Sequence, residues 1–386
     1  MGEFAALFTK HKKFQMKRLT QGLLAVFVYC IFKVVHRNTE FLVIETNIFG
    51  HAVLESVLLR KYVSEHPEKR VRFITHRHSA NHFLTNSIRK TLKADGVKES
   101  YFGRMAMHAQ EILKNRMNVT PKIKIIAFQE DLTHLTASNQ DSKLLPEFSE
   151  TILLKNEATT QNKRDILLMN RSSAYVKHNE SDELHSYRNF SFESIDRSVP
   201  TNLFSFNFIR IGKFDQNTTS NVHIFDVRRE IECNPALDMS IQAHSYAYFG
   251  ADSGPAWYAL CAQKPVAFIN MIPLNQVSPT DCRKLVVIPK LLYSLDLHRV
   301  LTLSEMLSAE TSLLRSSQQY KNCNLVPIEN SQEDVEKFMT SWLNLLDNSG
   351  EAVVDEEFMN ALRRKHNVPF LPSISANFIS DHSEIL

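Results

Sequence analysis

The 386-residue sequence predicts an α/β protein built from two Rossmann-like domains that face a cleft, preceded by a basic apolar helix. Three observations carry that expectation. Apolar runs of strand length alternate with helical patterns, the signature of parallel sheets covered by helices. The alternation occurs twice, from Phe41 to Phe128 and again from Asp165, with a polar stretch between the two series. The length also exceeds that of one ordinary core, given roughly 100 to 200 residues per domain.

Composition narrows the class. Apolar residues make up 43% and charged residues 23%, as in a folded globular chain. A net charge of +3 is too mild to point to nucleic acid. The excess is local: Lys10, Lys12, Lys13, Lys17, Arg18, Lys33 and Arg37 face only Glu3 and Glu40 in the first 40 residues. Five widely spaced cysteines without a C-x-x-C pair argue against a disulfide framework or a zinc site and favour a reducing compartment.

Residues 1–36 form the first segment. Gly22 to Val35 (GLLAVFVYCIFKVV) is an apolar run of about 14 residues, short of the roughly 20 that a spanning helix needs. A positive region precedes it, but no small-residue cleavage site follows. Its composition favours an interfacial helix on an anionic membrane surface through residues 10–35. A helix packed on the protein's own body is the alternative, ahead of a true span or signal.

The first domain is expected over 37–160. FLVIE (41–45) reads as a strand, and an amphipathic helix follows from about Ala52 to Val63, with Val53, Leu54, Val57 and Leu58 on one side. VRFIT (71–75) and KIKIIAF (122–128) are further strands, with helical patterns over 79–93 and 104–116. Residues 130–163, rich in Asn, Gln, Ser, Thr and Lys, hold the connection between domains.

The second domain is expected over 161–330, with C-terminal helices and a tail over 331–386. Strands are read at ILLMN (166–170), LFSFNFIRIG (203–212), VHIFD (222–226) and LVVIP (285–289), and a helix at Leu237–His244. Helical patterns at 302–315, 331–346 and 354–365 close the chain. Its centre is YFGADSGPAWYALCAQKPVAFIN (248–270), which reads as strand, tight turn, helix and buried strand, one βαβ unit. Gly250 and Gly254 permit the turn, Asp252 and Ser253 stand where an N-cap is wanted, and Pro255 fits the first helical turn. Backbone N–H groups at such a helix start suit a phosphate, although any α/β protein needs capped helices.

Four groups at predicted strand ends are candidates for chemistry. His51, beside Gly50, is a general-base candidate because an imidazole titrates near neutral pH, and Glu55 one turn later is placed to orient it or replace it. Arg171 and Arg210 each follow a strand, where a fixed guanidinium neutralises a diphosphate. His185, Tyr187, Arg188 and Asn189 in the polar segment HSYRN offer stacking and hydrogen bonds to a base or sugar. Each taken alone also reads as an ordinary capping, surface or loop residue. The chain lacks G-x-G-x-x-G after its first strand, G-x-x-x-x-G-K-[ST] and G-x-S-x-G, so dinucleotide oxidoreductase, P-loop and serine hydrolase readings have no signature. It also lacks Asp-x-Asp to hold a metal against a diphosphate, so neither a metal nor a cofactor is expected.

On HSYRN, RIG (210–212), YFGADSGPAWYALCAQKPVAFINMIPL (248–274), LVVIPK (285–290) and FGHAVLE (49–55), the sequence resembles a family of bacterial glycosyltransferases associated with surface-polysaccharide gene clusters. The family is similar to glycosyltransferases of two Rossmann domains (the GT-B architecture). The resemblance implies a nucleotide-sugar donor in the C-terminal domain and a glycan or lipid-linked acceptor at the N-terminal one. It puts Gly250, Asp252, Ser253 and Gly254 at the donor pyrophosphate or sugar, Arg171 and Arg210 as supporting cations, and His51 on the acceptor side. The expected setting is cytoplasmic, peripheral on the inner face of the cytoplasmic membrane. Rival readings are transfer of a pyruvyl or phosphoryl group on the same scaffold, and a catalytically inactive carbohydrate-binding or scaffold protein.

Overall fold

The structure, a computed structural model, describes residues 39–44, 49–75, 79–100, 125–126, 163–172, 185–201, 205–212, 219–227, 234–276, 285–347, 355–368 and 371–386. The basic arm at 10–35, the expected helix at 104–116 and the polar connection up to residue 162 lie outside the described residues. The chain divides into two compact units, Met1–Leu135 and Thr136–Leu386.

In the first unit, β1 (Thr39–Ile44) is followed by α1 (Phe49–Glu65), β2 (Arg70–Thr75), α2 (His82–Ala94), β3 (Lys98–Glu99) and β4 (Ile125–Ile126). All pairs are parallel, in the order β3-β2-β1-β4. The sheet therefore winds outward from β1 to one side and then crosses to the other, the first half of a doubly wound fold. Residues 52–59 of α1 are all buried, so the helix is enclosed on more sides than its apolar periodicity implies. Asn81 caps α2 by accepting from the Leu84 N–H at 2.9 Å. Arg89 then ties α2 to the strand ends, reaching Glu99 Oε1 at 3.2 Å and Thr75 Oγ1 at 2.8 Å.

The second unit runs β5 (Arg164–Met169), α3 (Glu193–Ser198), β6 (Phe206–Arg210), β7 (Ile224–Asp226), α4 (Pro235–His244), β8 (Ala247–Gly250), α5 (Gly254–Cys261), β9 (Val266–Met271) and β10 (Leu285–Pro289). It continues with β11 (Leu291–Ser294), β12 (Arg299–Val300), α6 (Leu303–Met306), α7 (Ser317–Asn322), β13 (Leu325–Ile328), α8 (Gln332–Leu346), α9 (Glu356–His366), β14 (Ser373–Ile374) and α10 (Ala376–Asp381). Among the described residues the main sheet has the order β14-β10-β9-β8-β5-β6-β7, parallel throughout. The sequence order reverses between β5 and β8. Strands β8, β9 and β10 are buried at every position, which is why they read as continuous apolar runs rather than alternating ones.

Helix α8 covers part of this sheet. Its Phe338 and Trp342 rings lie 5.8 and 5.6 Å from Phe249 of β8. Ser331 and Asp334 close a capping box at its start; the Asn270 N–H of β9 donates to Asn330 Oδ1 at 2.6 Å, and the Asn330 N–H donates to Asn270 Oδ1 at 2.7 Å. The segment after residue 331 thus belongs to the second unit and also supplies edge strand β14.

One sequence expectation is corrected here. The helix read over 302–315 is one capped turn, α6, because the Thr302 and Glu305 capping box starts it and turns follow from Leu307. The region 291–328 instead builds a small antiparallel sheet, β12-β11-β13.

Strands β5 and β8 meet in a close backbone contact. Met169 is the register partner of Gly250, and the Ala251 N–H donates to the Met169 carbonyl at 2.8 Å. Gly250 has φ of +143°, and a Cβ there would stand 1.9 Å from the Met169 carbonyl oxygen. That backbone contact accounts for its need for glycine. Gly250→Ala is expected to cost about 3 kcal/mol or more, read from a denaturant titration; a loss below 1 kcal/mol would mean that the strands separate at little cost.

Candidate functional site

In an open parallel sheet, ligands bind outside the carboxyl ends of the two strands where the order reverses. Those strands are β5 and β8. Beyond them the chain continues as Asn170-Arg171-Ser172 and Ala251-Asp252-Ser253.

The HSYRN segment is held against both ends. It forms a short 3-10 turn, Ser186–Arg188, whose continuation is pinned to β5 by two bonds: Asn170 Nδ2 donates to the Phe190 carbonyl at 3.0 Å, and the Phe190 N–H donates to the Arg171 carbonyl at 3.1 Å. Arg188 pins it to β8, its Nη2 donating to Asp252 Oδ2 at 2.9 Å and to the Asp252 carbonyl. Lys290, just after β10, donates to the Asn189 carbonyl at 2.8 Å. On the other side Ser317 accepts from the Tyr187 N–H at 3.1 Å and bonds Ser186 Oγ at 2.8 Å, while the Tyr187 and Tyr320 rings lie 4.9 Å apart.

The resulting cluster is cationic. Arg171 and Arg188 act on His185, and Arg171, Arg188 and Arg315 all act on the Tyr187 hydroxyl. Burial, then Arg171 and Arg188, pushes His185 below its ordinary pKa, against a bond to the Arg315 backbone that works the other way. Burial raises Tyr187 although all three arginines oppose it. Several polar atoms here are buried without a hydrogen-bond partner: His185 Nδ1, the hydroxyls of Tyr187 and Tyr320, and Asp252 Oδ1. Such groups cluster at functional sites more often than in plain cores.

Of the residues singled out from sequence, Arg171, His185, Tyr187, Arg188, Asn189 and Asp252 come together. The start of α5 does less than expected. Ser253 is its N-cap, but the side chain makes no capping bond; Oγ turns inward to the Tyr248 hydroxyl at 3.0 Å and Met169 Sδ at 3.4 Å. Pro255 has no N–H, and the Ala256 N–H donates to the Ser253 carbonyl at 3.0 Å. Within the first three helical positions only Gly254 keeps a backbone donor for an anion. The weight of any such site rests on the guanidinium groups.

Arg210 is a correction. It ends β6 opposite Asp226 of β7, is 2% exposed, and donates to Asp226 Oδ2 at 3.3 Å, with its guanidinium 3.8 Å from the Phe192 ring centre. A buried arginine with its own carboxylate and an aromatic face does not fit the supporting-cation role expected for it.

His51 and Glu55 lie in the first unit, on the first turns of α1, which follows β1 where that sheet's order reverses. His51 Nδ1 is 3.6 Å from Glu55 Oε1; the imidazole is about a third exposed and the carboxylate is buried. One turn of helix places the acid to orient the imidazole.

Arg315, Ser317, Tyr320 and Lys290 were not singled out from sequence. A signal existed for three of them: Arg315-Ser316-Ser317, with two of the residues, repeats the triplet Arg171-Ser172-Ser173. Lys290 is a cation immediately after the buried strand β10, as Arg171 is two residues after β5. Among the described residues no cluster of three or more His, Cys, Asp or Glu forms, and no helix is long and apolar enough to cross a membrane.

No protein-family model and no curated protein sequence matches the chain. Among solved structures it is similar to the dodecameric iron-containing heptosyltransferase TibC of enterotoxigenic E. coli, in complex with ADP-D-beta-D-heptose, at 11% identity over 61% of this chain and 58% of that one, with a TM-score of 0.33. It is also similar to the E. coli ADP-heptose lps heptosyltransferase II, at 10% identity over 64% and 90% with a TM-score of 0.36. A third is the E. coli heptosyltransferase WaaC with ADP, at 9% identity over 81% and 99% with a TM-score of 0.36. The chain spans under two thirds of the first of these. At such identities the likeness is one of fold alone.

Removing one partner of a buried pair leaves the other charge uncompensated. Arg210→Ala is therefore expected to destabilise the protein by about 3–5 kcal/mol. A variant with wild-type denaturant midpoint and weakened ligand binding would restore Arg210 to the site.

Proposed function

We propose that the protein is a glycosyltransferase that moves a sugar from a nucleotide-diphosphate donor to a surface-polysaccharide or lipid-linked glycan acceptor. The observation that carries this reading is the pair of cations Arg171 and Arg188 beside the neutral Tyr187 hydroxyl at the β5–β8 order reversal, the position where an open parallel sheet takes a ligand. The family resemblance of the same residues supports it.

In this reading the donor diphosphate meets Arg171 and Arg188, with the Gly254 N–H beside them. Arg188 commits only Nη2 to Asp252, so its Nε–H and both Nη1–H remain for oxygen atoms of the ligand. As the bond from the anomeric carbon to the diphosphate breaks, negative charge grows on the leaving oxygen. Fixed guanidinium groups stabilise that charge more than the ground state, and this lowers the barrier. No metal is called on for the task. His51, oriented by Glu55, takes the proton of the acceptor hydroxyl, and the hydroxyl oxygen forms the new glycosidic bond. Residues 10–35 would keep the enzyme at the cytoplasmic membrane face, close to a lipid-linked acceptor.

Thermal stabilisation by ADP, GDP, UDP, CDP and their sugar conjugates tests the donor site. A bound nucleotide at 100 times its dissociation constant adds about 2.7 kcal/mol, and Arg188→Gln is expected to abolish the shift. A full shift in that variant would remove Arg188 from the site, and no shift with any nucleotide in the wild type would favour a carbohydrate-binding or scaffold role. His51→Ala is expected to keep the nucleotide shift while losing sugar transfer; normal turnover would rule it out as the base.

A further inference from the structure

Arg315 stands apart from the other arginines of the cluster by what surrounds it. Its Nη1 donates to the carbonyls of Ser312 at 2.6 Å and Leu314 at 3.0 Å, and its Nη2 donates to Asn275 Oδ1 at 3.3 Å. These acceptors fix the guanidinium without neutralising it, since none is a carboxylate. A guanidinium has five N–H donors, so among the described residues the Nε–H and one Nη2–H stay uncommitted. They form the edge that grips two oxygen atoms of a phosphate side by side.

Its place in the fold completes the argument. Asn275 sits in the 3-10 turn Leu274–Gln276 that follows β9, and β9 neighbours β8, which neighbours β5. Arg171, Arg188 and Arg315 therefore stand at the carboxyl ends of three successive strands. Adjacent strands are about 4.8 Å apart, so the three strand ends that these residues mark span about 10 Å. That is more than one phosphate group can bridge and suits two linked ones. Tyr187 joins the row, because its hydroxyl is within electrostatic reach of all three guanidinium groups.

We propose that Arg315 holds one phosphate of a nucleoside diphosphate while Arg171 and Arg188 hold the other, so that this residue makes the site selective for diphosphates over monophosphates. The assignment rests on the donor-site reading given above and adds a residue and a selectivity to it.

Calorimetric titration of the full chain with ADP and AMP, GDP and GMP, UDP and UMP, and CDP and CMP supplies the test. Arg315→Gln is expected to weaken the preferred diphosphate roughly 10- to 100-fold, the loss of one charge-assisted contact, and its monophosphate by less than about threefold. Equal weakening of both, or of neither, overturns the assignment. Because Arg315 also braces the turn at 312–314, Asn275→Asp is measured beside it. That change sets a carboxylate against Nη2 and neutralises the guanidinium with the arginine in place, and the same selective loss is expected. Unchanged diphosphate affinity in Asn275→Asp overturns the proposal even if Arg315→Gln fails to fold. A wild type that binds none of the four diphosphates overturns the donor reading and this inference with it, whereas a wild type that binds them with no selective loss in either variant sinks only the role of Arg315.

Discussion

The contact between Gly250 and the Met169 carbonyl sets the geometry of the whole carboxyl edge of the second sheet. Any side chain at residue 250 would occupy the space of that oxygen, so the pairing of β5 and β8 at this point requires glycine. The chain leaves β8 through Ala251, whose N–H is bound to the same carbonyl. Asp252 is thereby delivered beside the segment that follows β5, within reach of Arg188. Had β8 been shifted by the width of one methyl group, the Arg188–Asp252 bond, which is the link from the HSYRN turn to β8, would have no partner at the required distance. A close backbone contact in the core thus decides where the polar groups at the surface can meet.

Arginine is used here in several ways, and what neutralises each one tells them apart. Arg210 is enclosed with Asp226 and Phe192, and its role is to hold two strand ends together. Arg89 does the same between α2 and the first sheet. Arg188 carries a carboxylate on one nitrogen and leaves the rest of its fork available, and Arg315 is fixed by neutral oxygens alone. Lys264 offers a further contrast. It is buried, its pKa is brought down to about 8 by that burial, and its ammonium group donates to the carbonyls of Gln242, Ala243 and Ser245 at the end of α4. That lysine closes a helix terminus, as the last carbonyls of any helix require.

Much of this fold was legible in the sequence because its strands are apolar runs bounded by polar turns. β1, β2, β5 and β8 to β10 all lie where such runs place them, and Asn81, Asn234 and Ser331 mark helix starts that their side chains do cap. The antiparallel sheet at 291–328 was not legible. Its strands have two to four residues, too short for a period to show, and one of them contains Pro327. Position at a strand end singled out Arg171 and Arg210 alike, because both follow apolar runs, and only tertiary pairing shows that one of them meets Asp226. Tyr187, Arg188 and Asp252 were legible as polar groups in turns. That Arg188 and Asp252 bond across 64 residues could not be read from spacing.

The presence of a carboxylate in a cluster built for anions follows from the same electrostatics. A guanidinium held against a sheet end without any counter-charge would be costly in the absence of ligand. Asp252 relieves that cost through Oδ2, yet its Oδ1 finds no partner, so the pair is only half satisfied. A half-satisfied pair holds Arg188 in register without saturating it. The oxygen atoms of a phosphate that approaches Nε and Nη1 meet donors that Asp252 does not use, and binding need not displace the carboxylate. The acid then fixes where the guanidinium points before the ligand arrives, and less ordering remains to be done during binding. On this view the order reversal of the sheet supplies the crevice, the glycine contact supplies the close approach, and the Arg188–Asp252 pair converts that approach into a preset anion contact.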